Sequence, residues 1–208
     1  MSALDLLAKL TTTPGVPGRE HRIRQLILDE IGAIFDEISV DPLGSIIAVK
    51  KPAPKKGKAA KEPLRVMLAA HMDQIGFVVR KIEKNGFIRI ERLGGVPEKA
   101  LASQAVIFPL ENGSEIFGII ANKSHHATQQ DEKYNVVPYK DLYIDVGVDT
   151  FEEVINLGIN IGSPVVYKPT VEELSNERIA GTSIDDRAGC AIAIEIAEKL
   201  LLRKKGPP

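Results

Sequence analysis

Apolar positions fall along this chain in two rhythms, and each predicts different elements. Leu4, Leu7 and Leu10 make a stripe at helical spacing over residues 2–13, with Ser2 placed to cap it. Pro14-Gly15-Val16-Pro17-Gly18 turns the chain. Ile23, Leu26, Ile27, Ile31 and Ile34 then recur on one face of a longer helix, predicted from about 19 to 35. Strands are expected at 37–40 and 45–49, with Asp41-Pro42-Leu43-Gly44 turning between them. Residues 64–70 are almost continuously apolar, the pattern of a strand buried on both faces.

From residue 77 the rhythm shortens. Strands at 77–82 and 87–91 flank the hairpin turn Lys84-Asn85-Gly86, and more are expected at 104–109, 116–121, 142–148 and 164–167. Such closely spaced strands predict a small all-β, barrel-like module. One helix interrupts it, opened by the capping box Thr150-Phe151-Glu152-Glu153 and stopped by Gly158. The helical rhythm returns over 186–203. Ala188, Ala191, Ile192, Ile194, Ile196, Leu200 and Leu201 make that helix apolar around most of its circumference, which predicts a place between layers. The fold class is therefore α/β, in a discontinuous domain formed by 1–72 and 170–208. Residues 73–169 are inserted into it as a β-rich domain.

Charge narrows the partners. The 27 basic and 28 acidic side chains of the 208 residues leave a net charge of −1. That balance argues against nucleic acid or an anionic membrane as a partner. The segment 50–62, KKPAPKKGKAAKE, has no aromatic or glycine framework around its lysines and reads as a solvated loop. Cys190 is the one cysteine, so no intrachain disulfide can form. Residues 1–9 show no leader pattern and no apolar run approaches a membrane span, so the expected location is cytoplasmic.

Two short stretches carry candidate chemistry. In AAHMDQIGF, His71 and Asp73 stand two apart at the end of a predicted strand, so both side chains face one side. In an open α/β sheet that side is the cleft beyond the strand ends. One reading is a metal-binding His71 oriented by Asp73; another is a structural histidine–carboxylate pair. In SIDDRAGC, Asp185 and Asp186 open an apolar helix. One acid suffices to cap it. The second, with Arg187 next to it, reads as a ligand and its support. Imidazole plus carboxylate suits Zn²⁺, Co²⁺ or Mn²⁺, and a carboxylate can bridge two metals about 3.5–4 Å apart. His125 and His126, taken as extended, would point to opposite sides and read as a surface or interface loop. His21 reads as a surface residue and Cys190 as inert core.

AAHMDQIGF, Leu93-Gly94-Gly95, LYIDVG at 142–147 and SIDDRAGC together resemble the glutamyl-aminopeptidase family, which includes the tetrahedral and deblocking aminopeptidases. Order and spacing match along nearly the whole chain. The resemblance implies a phosphorylase/hydrolase-like mixed-sheet metallopeptidase domain holding two divalent metal ions, Zn or Co. It also implies an inserted barrel-like domain that assembles a homo-oligomer, and removal of amino-terminal residues from peptide substrates. His71 resembles the histidine that binds one metal, and Asp185 the aspartate that bridges both. Asp73 resembles the acid of the catalytic machinery that supports the histidine. Asp186 and Arg187 match the motif in supporting roles, while Gln74 stands where the family commonly has glutamate. A Glu-Glu pair, a further acid and a final histidine complete the family's site beyond the last helix, and none of them matches here. The expectation is a truncated metallopeptidase domain with weak or no metal binding and little activity alone. The alternative is a non-catalytic oligomerisation remnant. A glycoside hydrolase ranks lower, since such clefts usually have aromatic platforms and this chain has no tryptophan.

Overall fold

A computed structural model describes residues 3–32, 34–52 and 65–201. Helices α1 (Ala3–Thr12) and α2 (His21–Ile31) come first, followed by strands β1 (Glu37–Val40) and β2 (Ile46–Val49). Six strands with a helix among them form the middle: β3 (Gly76–Ile82), β4 (Ile88–Leu93), β5 (Ala105–Pro109), β6 (Glu115–Ala121), β7 (Tyr143–Asp145), α3 (Phe151–Asn156) and β8 (Pro164–Tyr167). The hairpin β9 (Val171–Leu174) and β10 (Arg178–Gly181) leads to α4 (Ile184–Leu201). The chain forms two compact units. One comprises 1–15, 20–73 and 171–208; the other comprises 16–19 and 74–170.

In the first unit, Leu6 and Leu10 of α1, Ile23, Ile27 and Ile31 of α2, Ile34, and Cys190, Ala191 and Ile194 of α4 bury one shared core. The helical stripes on α1 and α2 thus close on each other and on α4, each large apolar side chain contributing about 1.5–3 kcal/mol by leaving water. Helix α2 ends at Ile31, earlier than predicted, with Gly32 at its C-terminal boundary, and Ile34 is buried beyond the helix. β1 and β2 pair antiparallel with Glu37 opposite Val49. Their turn is held by the Asp41 carboxylate, which accepts from the backbone N–H of Leu43 (2.9 Å) and Ser45 (2.8 Å). The capping position Ser2, Leu64, residues 53–62 of the lysine-rich loop and the helix end at 202–203 lie outside the described residues.

Three expectations for this unit change. The run 65–70 is extended but joins no strand ladder among the described residues, and Val66 and Met67 are 74 % and 87 % exposed. A strand apolar on both faces is stabilised by neighbours on each side, and no described strand pairs with this one. The described sheet structure of the unit is therefore two antiparallel hairpins, β1–β2 and β9–β10. That second hairpin was not predicted, because its mostly exposed strands carry no apolar alternation. Finally, α4 has one face in the core and leaves Ile192 58 % exposed, where an apolar pattern around most of its circumference suggested a place between layers.

The second unit is a closed antiparallel barrel in the order β3-β4-β7-β6-β5-β8. Alternate residues point inward, as the period of two requires. Phe77 and Val79, Ile88 and Ile90, Val106 and Phe108, Ile120, Ile144 and Val165 fill the interior. β7 is three residues long and meets β4 through Ile88 and Ile144 and β6 through Ile120 and Ile144, so Ile144 sits at the closing seam. Gly76 lies where β3 passes β8: a Cβ there would stand 2.6 Å from both the Val16 side chain and the Val165 carbonyl oxygen. Helix α3 shows the expected capping box. Thr150 Oγ1 accepts from Glu153 N–H (3.2 Å), and the Glu153 carboxylate accepts from Thr150 Oγ1 (2.9 Å) and Asp149 N–H (3.0 Å). His125 and His126 are not extended. They open a 3₁₀ turn, His125–Ala127, with their rings edge to face at 5.8 Å.

Candidate metal centre

The candidate residues of both sequence stretches belong to the first unit. Ser183 has a left-handed backbone (φ 58°), and Asp185 and Asp186 have non-helical angles, so regular helix begins at Arg187. The Asp185–Asp186 peptide bond is cis. Asp186 Oδ1 accepts from Gly189 N–H at 3.0 Å, the bond of a helix N-cap. A Cβ on Gly189 would lie 2.4 Å from that oxygen, so the glycine makes room for the cap. Asp186 is thereby spent on the helix, while the Asp185 side chain is 95 % exposed.

His71 lies between the other two acids. Its Nε2 is 3.1 Å from Asp185 Oδ1 and its Nδ1 is 3.2 Å from Asp73 Oδ1. Burial works against a charge on the ring, but the Asp73 and Asp185 carboxylates outweigh it and hold the imidazole above its ordinary pKa. Behind the ring, the Cys190 thiol reaches the His71 carbonyl oxygen at 3.4 Å. Burial pushes that thiol up to about 11, which keeps it neutral and unreactive near pH 7. Arg187 is fully buried, and its Nη1 donates to the carbonyls of Leu10 and, at 3.2 Å, Thr13. Burial lowers its pKa to about 10, still well above neutrality, and the Asp73 charge acts in the opposite direction.

The donor pair fits a divalent cation. Two ligand atoms each about 2.0–2.2 Å from a tetrahedral ion stand about 3.4 Å apart, close to the 3.1 Å between His71 Nε2 and Asp185 Oδ1. Asp73 occupies the other ring nitrogen, the usual arrangement for a metal-binding histidine. Among the described residues no three His, Cys, Asp or Glu side chains are grouped to hold one ion, since Asp73 serves the far side of the ring.

The structure thus brings His71, Asp73 and Asp185 together, turns Asp186 into a cap and buries Arg187 behind them. His125 and His126 belong to the barrel unit and take no part. The link from Cys190 to His71 was missed, because an apolar helix position gives no sign of a backbone partner far away in sequence.

Residues 44–205 match the M42 glutamyl aminopeptidase family. The chain belongs to that family. It is 34 % identical over 199 residues to the lysyl aminopeptidase of Pyrococcus furiosus, covering 94 % of this chain and 54 % of that protein. Among solved structures, an aminopeptidase of the archaeon Desulfurococcus kamchatkensis superposes with a TM-score of 0.84 at 32 % identity, over 95 % of this chain and 52 % of that one. The Pyrococcus horikoshii TET1 peptidase, which assembles into a tetrahedron or a large octahedral shell, gives 0.82 at 28 % identity over 96 % of this chain and 57 % of its own. This M42 chain spans about half the length of the relatives it matches. Among the described residues no helix is long and apolar enough to cross a membrane.

Proposed function

We propose that this M42 chain contributes the His71–Asp185 half-site of a metal-dependent aminopeptidase that removes amino-terminal residues from peptides. The observation that carries the reading is the line Asp73–His71–Asp185, with contacts of 3.2 and 3.1 Å. His71 Nε2 and Asp185 Oδ1 would hold a divalent cation, Zn²⁺ or Co²⁺, and the exposed Asp185 carboxylate would have an oxygen to offer a second ion. Asp73 fixes the ring from Nδ1, so that Nε2 would serve as the ligand atom. Asp186 and Arg187 hold the backbone that presents Asp185. When bound, a metal pair of this kind activates water and polarises the scissile carbonyl.

Two protein ligands make a weak site, because catalytic metal sites commonly take about three protein ligands and a water. The chain by itself is therefore expected to bind metal weakly and to turn over little peptide. The barrel unit, with strands that close on themselves and Phe117 half exposed on its outer side, serves assembly with further copies. The shells formed by the P. horikoshii peptidase support that reading.

Titration calorimetry with Zn²⁺ and Co²⁺ tests the site on the purified chain, beside His71→Ala and Asp185→Asn, with an aminoacyl-anilide assay in parallel. The expected result is weak binding that either substitution abolishes, with no metal-dependent turnover. Binding unchanged in both variants would refute the ligand assignment. Metal-dependent turnover by the chain alone would refute the reading that two protein ligands are too few for catalysis.

A further inference from the structure

The two units differ in what they leave unfinished. The barrel closes on itself, so each of its strands has a hydrogen-bonded neighbour on either side. In the first unit, residues 65–70 join no described ladder, and all six are exposed. Successive residues of a strand point to opposite faces, so Val66 and Leu68 make one face of this segment apolar and Met67 the other. On α4, Ile192 and Ile196 stand one turn apart on the side turned from the core, and both are exposed. Large apolar side chains gathered in water mark a surface that another polypeptide covers.

Whatever covers 65–70 has to pair its backbone and also bury both of its faces. A second copy of this chain meets only the first demand. Pairing 65–70 with itself makes a two-stranded ribbon whose faces stay in water, which is marginal at best. The relatives offer a better occupant. The D. kamchatkensis aminopeptidase superposes on 95 % of this chain, yet nearly half of that protein lies outside the match. That remainder is comparable in length to this chain, enough for strands along both edges and a layer on each face.

We propose that 65–70, with the Ile192–Ile196 side of α4, is the docking face for the part of the M42 length that this chain does not match, and that docking there tightens metal binding at His71 and Asp185. The docked part adds a strand along each edge of 65–70 and lays apolar side chains on Val66 and Leu68 from one face and on Met67 from the other. Ala70 is bonded directly to His71, so a segment fixed by neighbours fixes the histidine against Asp185. Linkage makes the effect mutual: metal that favours the fixed histidine favours docking by the same factor. The docking rests on exposure and length, while its coupling to metal rests on reading His71 and Asp185 as ligands.

The test mixes the full chain, metal-free in EDTA, with the part of the P. furiosus lysyl aminopeptidase that it does not match. Light scattering reads the mass and mass spectrometry reads amide exchange. The expected result is a one-to-one complex in which exchange at 65–70 slows by about a hundredfold or more. Val66→Asp and Met67→Lys should leave the chain's own urea midpoint unchanged, because both side chains already lie in water, and each should weaken the complex by about tenfold or more. Leu43→Lys, in the β1–β2 turn and 92 % exposed, should weaken nothing. If no complex forms between separate chains, the same part is fused after residue 208, and a fusion with 65–70 still unprotected overturns the proposal. So does a complex that survives either charge substitution. Protection of 65–70 in the chain alone, at twice its mass, gives the face to a second copy and overturns it too. For the coupling, Co²⁺ affinity by chelator competition should rise about tenfold in the complex and fall back with Val66→Asp. Protected 65–70 with unchanged Co²⁺ affinity overturns the coupling alone. Absence of Co²⁺ binding by both chain and complex overturns the ligand reading and leaves the docking face to the exchange data.

Discussion

Replacing Ile144 by alanine tests whether the barrel is held at its shortest strand. β7 contributes three residues, and Ile144 alone registers with both neighbours, Ile88 on β4 and Ile120 on β6. All three side chains are fully buried, and Gly118 packs so close that a Cβ there would meet Ile144 Cγ2 at 2.7 Å. Ile144→Ala removes three carbons, worth about 2.4 kcal/mol at about 0.8 kcal/mol each. The flanking strands are hydrogen-bonded in register and cannot collapse into the space, so a cavity term brings the total to about 3–4 kcal/mol. The natural control is Ile119→Ala on β6, whose side chain faces outward at 37 % exposure and should lose about 1 kcal/mol or less. Tyrosine emission is a clean probe: the chain has no tryptophan, and all four tyrosines, at 134, 139, 143 and 167, belong to the barrel unit. In urea, with an m-value of about 1–2 kcal/mol per M, the Ile144→Ala midpoint should fall by roughly 2 M. Equal midpoints for the two variants would refute the idea that closure depends on this seam.

Two further outcomes are expected. Thr150→Ala removes the acceptor for Glu153 N–H and the donor to its carboxylate, and should destabilise the barrel unit by about 1 kcal/mol, read by the same emission. A His71 pKa raised by folding contributes stability that is present below the unfolded value of about 6.5 and is lost as pH rises through the folded value. Helix ellipticity in urea, dominated by the first unit's helices α1, α2 and α4, should accordingly show the metal-free chain losing stability above pH 6.5. Asp73→Asn should flatten that dependence, and an unchanged slope would contradict the pairing.

The barrel was legible because its strands are short and closely spaced and its turns carry their own chemistry. Lys84-Asn85-Gly86 gave the β3–β4 hairpin, where Gly86 has φ 81°, and Thr150 with Glu153 gave α3. The hairpin β9–β10 escaped because its turn uses Asn176 and Glu177 at positive φ, without the glycine that advertises such a bend. Residues 65–70 were misjudged in the other direction. Composition records that a segment is suited to burial, but pairing depends on strands that a local pattern cannot supply. At the candidate centre, the spacing H-x-D put two side chains on one side, and SIDDRAGC marked a helix start. What local pattern could not show was which of two adjacent acids would cap and which would face out. The hydrogen bond to Gly189 N–H decides that for Asp186.

The pairing of β3 with β8 bears on how the chain reaches its native state. Phe77 lies opposite Val165, so the first and last strands of the barrel are hydrogen-bonded neighbours. His71 and Asp185 are 114 residues apart in sequence. Once the β3–β8 pair forms, the span left to close between them shrinks to about a quarter of that, which lowers the loop-closure entropy by about 1 kcal/mol. The barrel therefore acts as a staple in time as well as in space. A chain that folds its middle first delivers the two distant ends of the site to each other, and a barrel slow to close would delay the meeting of His71 with Asp185.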